Sequence, residues 1–147
     1  MSWVRIWIHL VFSTKERQPF IAPKELKDNL IQHIKENAKL KDIWIDSING
    51  NKDHLHILIS LNKEQSISKV SQLIKGESSF WMNKNYSGKN KFVWQDDYWA
   101  VSVSESHLEA TREYINNQEA HHKTTSFTNE VNDFMKKYGW ELIQVSN

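Results

Sequence analysis

At 147 residues, 39% of them hydrophobic and 12% aromatic, the chain falls in the range of one compact domain with its own core, and we read 1–147 as a single domain. It has no cysteine, which excludes disulfides, thiolate metal sites and thiol catalysis together and leaves His, Asp, Glu, Gln and Tyr to carry any chemistry. A net charge of +1, from 19 Lys and Arg against 18 Asp and Glu, excludes a uniformly basic duplex binder, so a nucleic-acid surface would have to be local.

Residues 3–12 alternate, with Val4, Ile6, Ile8 and Leu10 on one side and Trp3, Arg5, Trp7 and His9 on the other, which predicts a first strand. The segment TKERQPFIAP is basic and holds both prolines, and Pro23 then opens a helix whose Leu26, Leu30, Ile31 and Ile34 recur at helical spacing to about Lys39. Ile43–Ile48 reads as a second strand and His54–Leu61 as a third, joined as a hairpin by the turn signal Asn49-Gly50-Asn51-Lys52. Ile67, Val70, Leu73, Ile74, Phe80 and Trp81 mark a long helix from Ser66 to about Asn85, ended by Ser87-Gly88. Val93–Val103 predicts a fourth strand. Ser106-His107-Leu108-Glu109 has capping-box spacing and predicts a third helix running to about His122, with Tyr114 in its middle. A short helix from about Thr128 to Lys137 ends at Gly139, and WELIQV forms a tail strand or docking arm.

The order strand, helix, strand, strand, helix, strand, followed by two helices, predicts an α+β fold. It is the ferredoxin-like split βαβ arrangement: a mostly antiparallel sheet with helices on one face, plus the C-terminal tyrosine-bearing helix and a further short helix. No apolar run reaches the roughly eighteen residues of a membrane span and no charged-then-apolar leader precedes the first strand, so a cytoplasmic protein with no membrane partner is expected. The seven tryptophans can fill a core or stack on unpaired bases.

In Asp53-His54-Leu55-His56-Ile57-Leu58-Ile59, a strand puts Leu55, Ile57 and Ile59 on the core face and both imidazoles on the other, about 7 Å apart at Cβ. Two such rings can converge on one cation, or be ordinary polar residues on the solvent side. Tyr114 and Gln118 stand four residues apart, with His121 or His122 a turn further, so one helix face offers a phenol, an amide oxygen and an imidazole. A solvated amphipathic helix with Tyr114 half-buried has the same spacing.

The segments STKERQPF, DHLHILIS, Lys75-Gly76-Glu77-Ser78-Ser79, VWQDDYWAVSVS and YINNQEAHH follow one another in an order and spacing that resembles the HUH-superfamily single-tyrosine transposases. That group includes the smallest insertion-sequence transposases and the REP-associated tyrosine transposases, and the likeness runs from the first strand to about Tyr138. One departure is Asp97-Tyr98-Trp99, where relatives often carry a glycine before the aromatic.

The resemblance implies a single-stranded DNA transposase. His54 and His56 match the metal-binding histidines, Gln118 the helix residue completing the metal shell, and Tyr114 the nucleophile; His121 and His122 match a pair without an assigned role. A divalent metal, Mg²⁺ or Mn²⁺, is implied as cofactor, with single-stranded DNA carrying hairpins as partner and a homodimer as assembly. Lys15, Arg17, Lys75 and Lys84 are the candidate hairpin contacts, each alone being also an ordinary solvated cation. The chemistry fits these residue types: a cation withdraws charge from the phosphate oxygens, and a tyrosine, weakly nucleophilic at an unperturbed pKa of about 10, forms a covalent phosphotyrosine. Two other functions fit parts of the pattern. One is a domesticated hairpin-DNA-binding protein without transposition activity; the other, resting on the histidines alone, is a phosphodiesterase for small nucleotides.

Overall fold

The computed structural model describes residues 1–86, 88, 90–121 and the isolated positions 129, 132, 133 and 136. Within these, β1 (Trp7–Ser13), α1 (Lys24–Leu40), β2 (Trp44–Gly50), β3 (His54–Ser60), α2 (Ile67–Asn85) and β4 (Trp99–Val103) follow in the order read from the sequence. The strands form one antiparallel sheet, β2-β3-β1-β4, which is the ferredoxin-like arrangement.

α1 starts directly after Pro23, whose fixed φ suits a helix entry. α2 starts after Ser66, whose side chain accepts a hydrogen bond from the Lys69 amide at 3.2 Å. Their apolar faces, with Leu30, Ile34 and Ala38 from α1 and Val70, Ile74 and Met82 from α2, cover Leu10, Phe12, Leu55, Ile57 and Ile59 of the sheet. This is the main core.

Three elements depart from the sequence expectation, each for a reason visible in its contacts. β1 begins at Trp7 rather than Trp3, because its partner β3 ends at Ser60 and the last ladder bond is from the Leu61 amide to the Ile6 carbonyl; Trp3, Val4 and Ile6 stay exposed. β4 is confined to Trp99–Val103, because the Lys75 ammonium gathers the carbonyls of Gln95, Asp96 and Asp97 and draws that stretch toward α2. Trp94 anchors the same loop through the core, donating its indole N–H to Ser78 Oγ at 2.9 Å; it is the one fully buried tryptophan among those described.

The third departure concerns the tyrosine-bearing helix. Ser106 does not cap it but sits within a 3-10 turn, Glu105–His107, where Ser104 Oγ contacts His107 Nδ1 at 2.7 Å. α3 then runs over Leu108–Asn116, breaks at Asn117, whose amide bonds the Glu113 carbonyl at 3.0 Å, and gives way to the short α4, Gln118–His121. His122, the helix expected over 128–137 apart from helical positions within it, and WELIQV lie outside the described residues.

α3 does not join α1 and α2. It packs on the opposite face of the sheet, where Leu108 and Ile115 bury Leu58 and bring in Trp7, Val103 and Tyr114. Arg112 fixes it there with a bidentate pair to Asp46 of β2, Nε to Oδ1 and Nη2 to Oδ2, both 2.9 Å. No helix among the described residues is long and apolar enough to cross a membrane.

Two outcomes follow from this packing. The guanidinium of Arg112 holds the Asp46 carboxyl below the usual carboxylate range, so the pair stabilises the fold above the unfolded carboxyl pKa of about 3.9 and is lost as pH falls through the lower folded value. Asp46→Asn should therefore melt below the wild type at neutral pH, with the gap closing as pH falls below about 4. Gly50 ends β2 against the next strand, and a Cβ there would lie 2.2 Å from the His54 carbonyl oxygen and 2.6 Å from Leu55 Cδ2. Gly50→Ala should cost about 1–3 kcal/mol in denaturant unfolding by forcing the start of β3 aside.

Candidate active site

Strand alternation sends Leu55, Ile57 and Ile59 into the main core and His54, His56 and Leu58 to the face beneath α3. His54 and His56 are 0% and 1% exposed, so they are not polar residues on a solvated strand face. Their ring centroids stand 5.1 Å apart. Burial makes a hydrogen-bond partner obligatory for such rings. His54 Nδ1 meets Asp53 Oδ1 at 2.7 Å, and His56 Nδ1 meets Nε2 of His9, itself fully buried, at 2.9 Å.

Tyr114 comes down onto this group from α3. Its ring lies edge-on to His56 at 5.5 Å and to His9 at 6.1 Å, within the same chain. Trp99 of β4 stands edge-on to His9 at 5.3 Å and closes another side. Gln118 is fully buried at the start of α4; its Nε2 points back to the Tyr114 carbonyl at 3.4 Å, while its Oε1 is buried and accepts no hydrogen bond among the described residues. An orphaned, buried amide oxygen is costly and is what a bound cation would relieve.

The donor set fits a metal in two further respects. The Nδ1 atom of each ring is engaged by a second residue, so a cation held by these rings would be taken at Nε2. Oxygen and imidazole donors without thiolate suit a hard or borderline divalent ion. Among the described residues no three His, Asp or Glu side chains form a metal cluster, so a cation here would rest on two imidazoles and an amide, with further coordination left to water or substrate.

The four candidate DNA contacts divide. Lys15 and Arg17 form the 3-10 turn after β1, at the His54 end of the sheet, where the Thr14 amide bonds the Asp53 carbonyl at 2.7 Å. Glu16 and Arg17 have φ of 56° and 54°, left-handed values that cost a non-glycine residue about 1 kcal/mol each. Lys75 joins this rim through the 95–97 loop, whose Gln95 amide bonds Ser13 at 2.8 Å, but its ammonium is committed to carbonyls and burial pushes its pKa down. Lys84 is exposed in the last turn of α2, about two and a half turns beyond Lys75, and does not share the rim. His121 lies in α4, and its side chain is outside the described set.

Sequence reasoning missed His9, Asp53 and Lys27. His9 was legible as a polar-face residue of β1 but not as a neighbour of His56, since pairing register is invisible in one strand. Lys27 is 5% exposed on α1, and its ammonium reaches past the hairpin to the Gly50 carbonyl at 3.1 Å and to Glu119 of α4 at 2.7 Å. No periodicity signals a lysine buried in this way. Because Glu119 adjoins Gln118, the pair ties down the start of α4. Lys27→Met should raise hydrogen exchange across residues 118–121 while leaving the amides of β1 and β3 protected.

The family model for IS200-like transposases matches residues 2–118. The ISDra2 transposase TnpA of Deinococcus radiodurans is 24% identical over 115 residues, covering 75% of this chain and 81% of that protein. A crystal structure of a transposase-like protein from Deinococcus radiodurans R1 superposes with a TM-score of 0.65 at 21% identity, covering 80% of this chain and 93% of the other. A REP-associated tyrosine transposase, solved bound to a REP hairpin, gives 0.62 at 13% identity, covering 83% and 72%. With a single family model spanning β1 to Gln118, and the buried histidines and tyrosine all within that span, the chain belongs to the IS200-like transposase family.

Proposed function

We propose that this transposase cleaves and rejoins single-stranded DNA through a 5′-phosphotyrosine on Tyr114, with a divalent metal, Mg²⁺ or Mn²⁺, held by His54, His56 and Gln118. The observations that carry the reading are the Tyr114 ring, 5.5 Å from His56 on the buried sheet face, and, four residues along, a buried Gln118 amide oxygen that accepts no hydrogen bond among the described residues. When bound, the metal withdraws charge from a nonbridging phosphate oxygen and favours in-line attack. The phenol of Tyr114 gives up its proton to solvent as its oxygen forms the new bond to phosphorus, the bond from phosphorus to the 3′-oxygen breaks, and that oxygen takes up a proton from solvent and leaves as a 3′-hydroxyl. The phosphodiester energy is kept in the protein–DNA link for the rejoining step.

The chain's own residues hold this arrangement. Asp53 and His9 fix the imidazoles, Arg112 fixes α3, and the Lys27–Glu119 pair fixes α4.

Hairpin-bearing DNA as partner is supported by the structural neighbour that was solved on a REP hairpin. Lys15 and Arg17, on the rim beside the site, are the phosphate contacts we favour, with Lys75 shaping the 95–97 loop and Lys84 further away. A homodimer is proposed on the family resemblance, and the exposed Trp3, Leu40 and Trp44 provide apolar surface for it.

Incubating the protein with hairpin-bearing single-stranded DNA and Mn²⁺ should give a covalent adduct stable to denaturing electrophoresis. Tyr114→Phe should reduce adduct formation at least a hundredfold while leaving hairpin binding intact. An undiminished adduct in that variant removes Tyr114 from the chemistry, and tight binding with no adduct under any divalent metal favours a domesticated binding protein.

A further inference from the structure

His9 takes no direct part in the chemistry above, yet it is fully buried and touches the two groups that matter most. Its position follows from register. β1 pairs with β3 so that His9 faces Leu58 and Val11 faces His56, which puts His9 and His56 on one face as diagonal neighbours. Their rings sit 5.1 Å apart, and His9 Nε2 lies 2.9 Å from His56 Nδ1.

Two ring nitrogens at that distance need one proton between them: two lone pairs repel and two N–H groups clash. Whichever nitrogen donates fixes the tautomer of both rings. A nitrogen that takes a metal must present its lone pair, so an imidazole coordinating through Nε2 carries its proton on Nδ1. We infer that His9 is the positioning residue that holds His56 in the Nδ1–H tautomer, by accepting that proton at His9 Nε2, so that the lone pair of His56 Nε2 faces the metal site. The inference rests on the metal-assisted reading for its purpose, but the tautomer is a property of the metal-free protein.

The choice of histidine over carboxylate has its own reason. Asp53 already places one negative charge against His54. A second carboxylate behind His56 would cancel more of a divalent ion's charge and weaken its pull on a phosphate, whereas a neutral imidazole orients without adding charge. Edge contacts from Trp99 at 5.3 Å and Tyr114 at 6.1 Å keep the His9 ring from turning away.

Long-range ¹H–¹⁵N correlation of the metal-free full chain, at a pH where the rings are neutral, reads the tautomer directly. His56 should show the Nδ1–H pattern in the wild type, lose it in His9→Leu, and regain it in His9→Gln, whose amide oxygen stands where Nε2 was. Mn²⁺ titration should weaken about tenfold to a hundredfold in His9→Leu and recover to within severalfold in His9→Gln. An Nε2–H pattern for His56 in the wild type overturns the inference even if neither variant folds, as does a His9→Leu protein with unchanged tautomer and Mn²⁺ affinity. An adduct undiminished in Tyr114→Phe would sink the strand-cleavage reading and leave the tautomer result standing, so the two failures are distinguishable.

Discussion

Strand β3 is buried on both faces, and each face sets a different demand. Toward α1 and α2 it presents Leu55, Ile57 and Ile59, which need only close packing. Toward α3 it presents His54 and His56, which cannot be enclosed unless their polar atoms find partners. Asp53 meets that demand at Nδ1 of one ring and His9 at Nδ1 of the other. Both partners take Nδ1, so the enclosure holds each ring by the same atom. A sheet with only one covered face would leave the histidines hydrated and free to rotate; covering the second face is what turns a His-x-His pattern into a site.

The cover itself has to be held, because α3 is short and α4 is a single turn. Its anchors come from well-separated parts of the chain. Arg112 grips Asp46 in β2, Asn49 in β2 donates to the Asn116 carbonyl at 3.2 Å, and Lys27 reaches Glu119 from the opposite helix layer. All three act on or beside the hairpin edge of the sheet. The tyrosine is thereby set over the histidines of its own chain, while the break at Asn117 divides the segment into a half with Tyr114 packed on the sheet and a half with Gln118 tied through Glu119 to Lys27.

Much of the fold was legible because the main core is amphipathic in the usual periods. Leu30 and Ile34 on α1, Val70 and Ile74 on α2, and the alternation through Leu55, Ile57 and Ile59 report their partners' side without any knowledge of them. Tyr114, His54, His56 and Gln118 were legible as residue types at spacings that recur in a known group. What the sequence left hidden depends on register and reach. His9 joins His56 only through the diagonal pairing of β1 with β3. Lys27 joins Glu119 only because a long side chain crosses from one layer to the other. The shortened β4 follows from a tertiary contact, Lys75 on three carbonyls, and the displaced start of α3 from a competing turn contact, Ser104 on His107.

The central claim is that one cation site includes His54 and His56 and lies beside Tyr114 of the same chain. Titrating the protein with Mn²⁺ and following paramagnetic broadening of its side-chain resonances tests this directly, since broadening falls steeply with distance from the ion. The account predicts that the rings of His54, His56 and Tyr114 and the side-chain amide of Gln118 broaden first and together. Early broadening elsewhere, with the Tyr114 ring still sharp when the imidazoles have vanished, would contradict it.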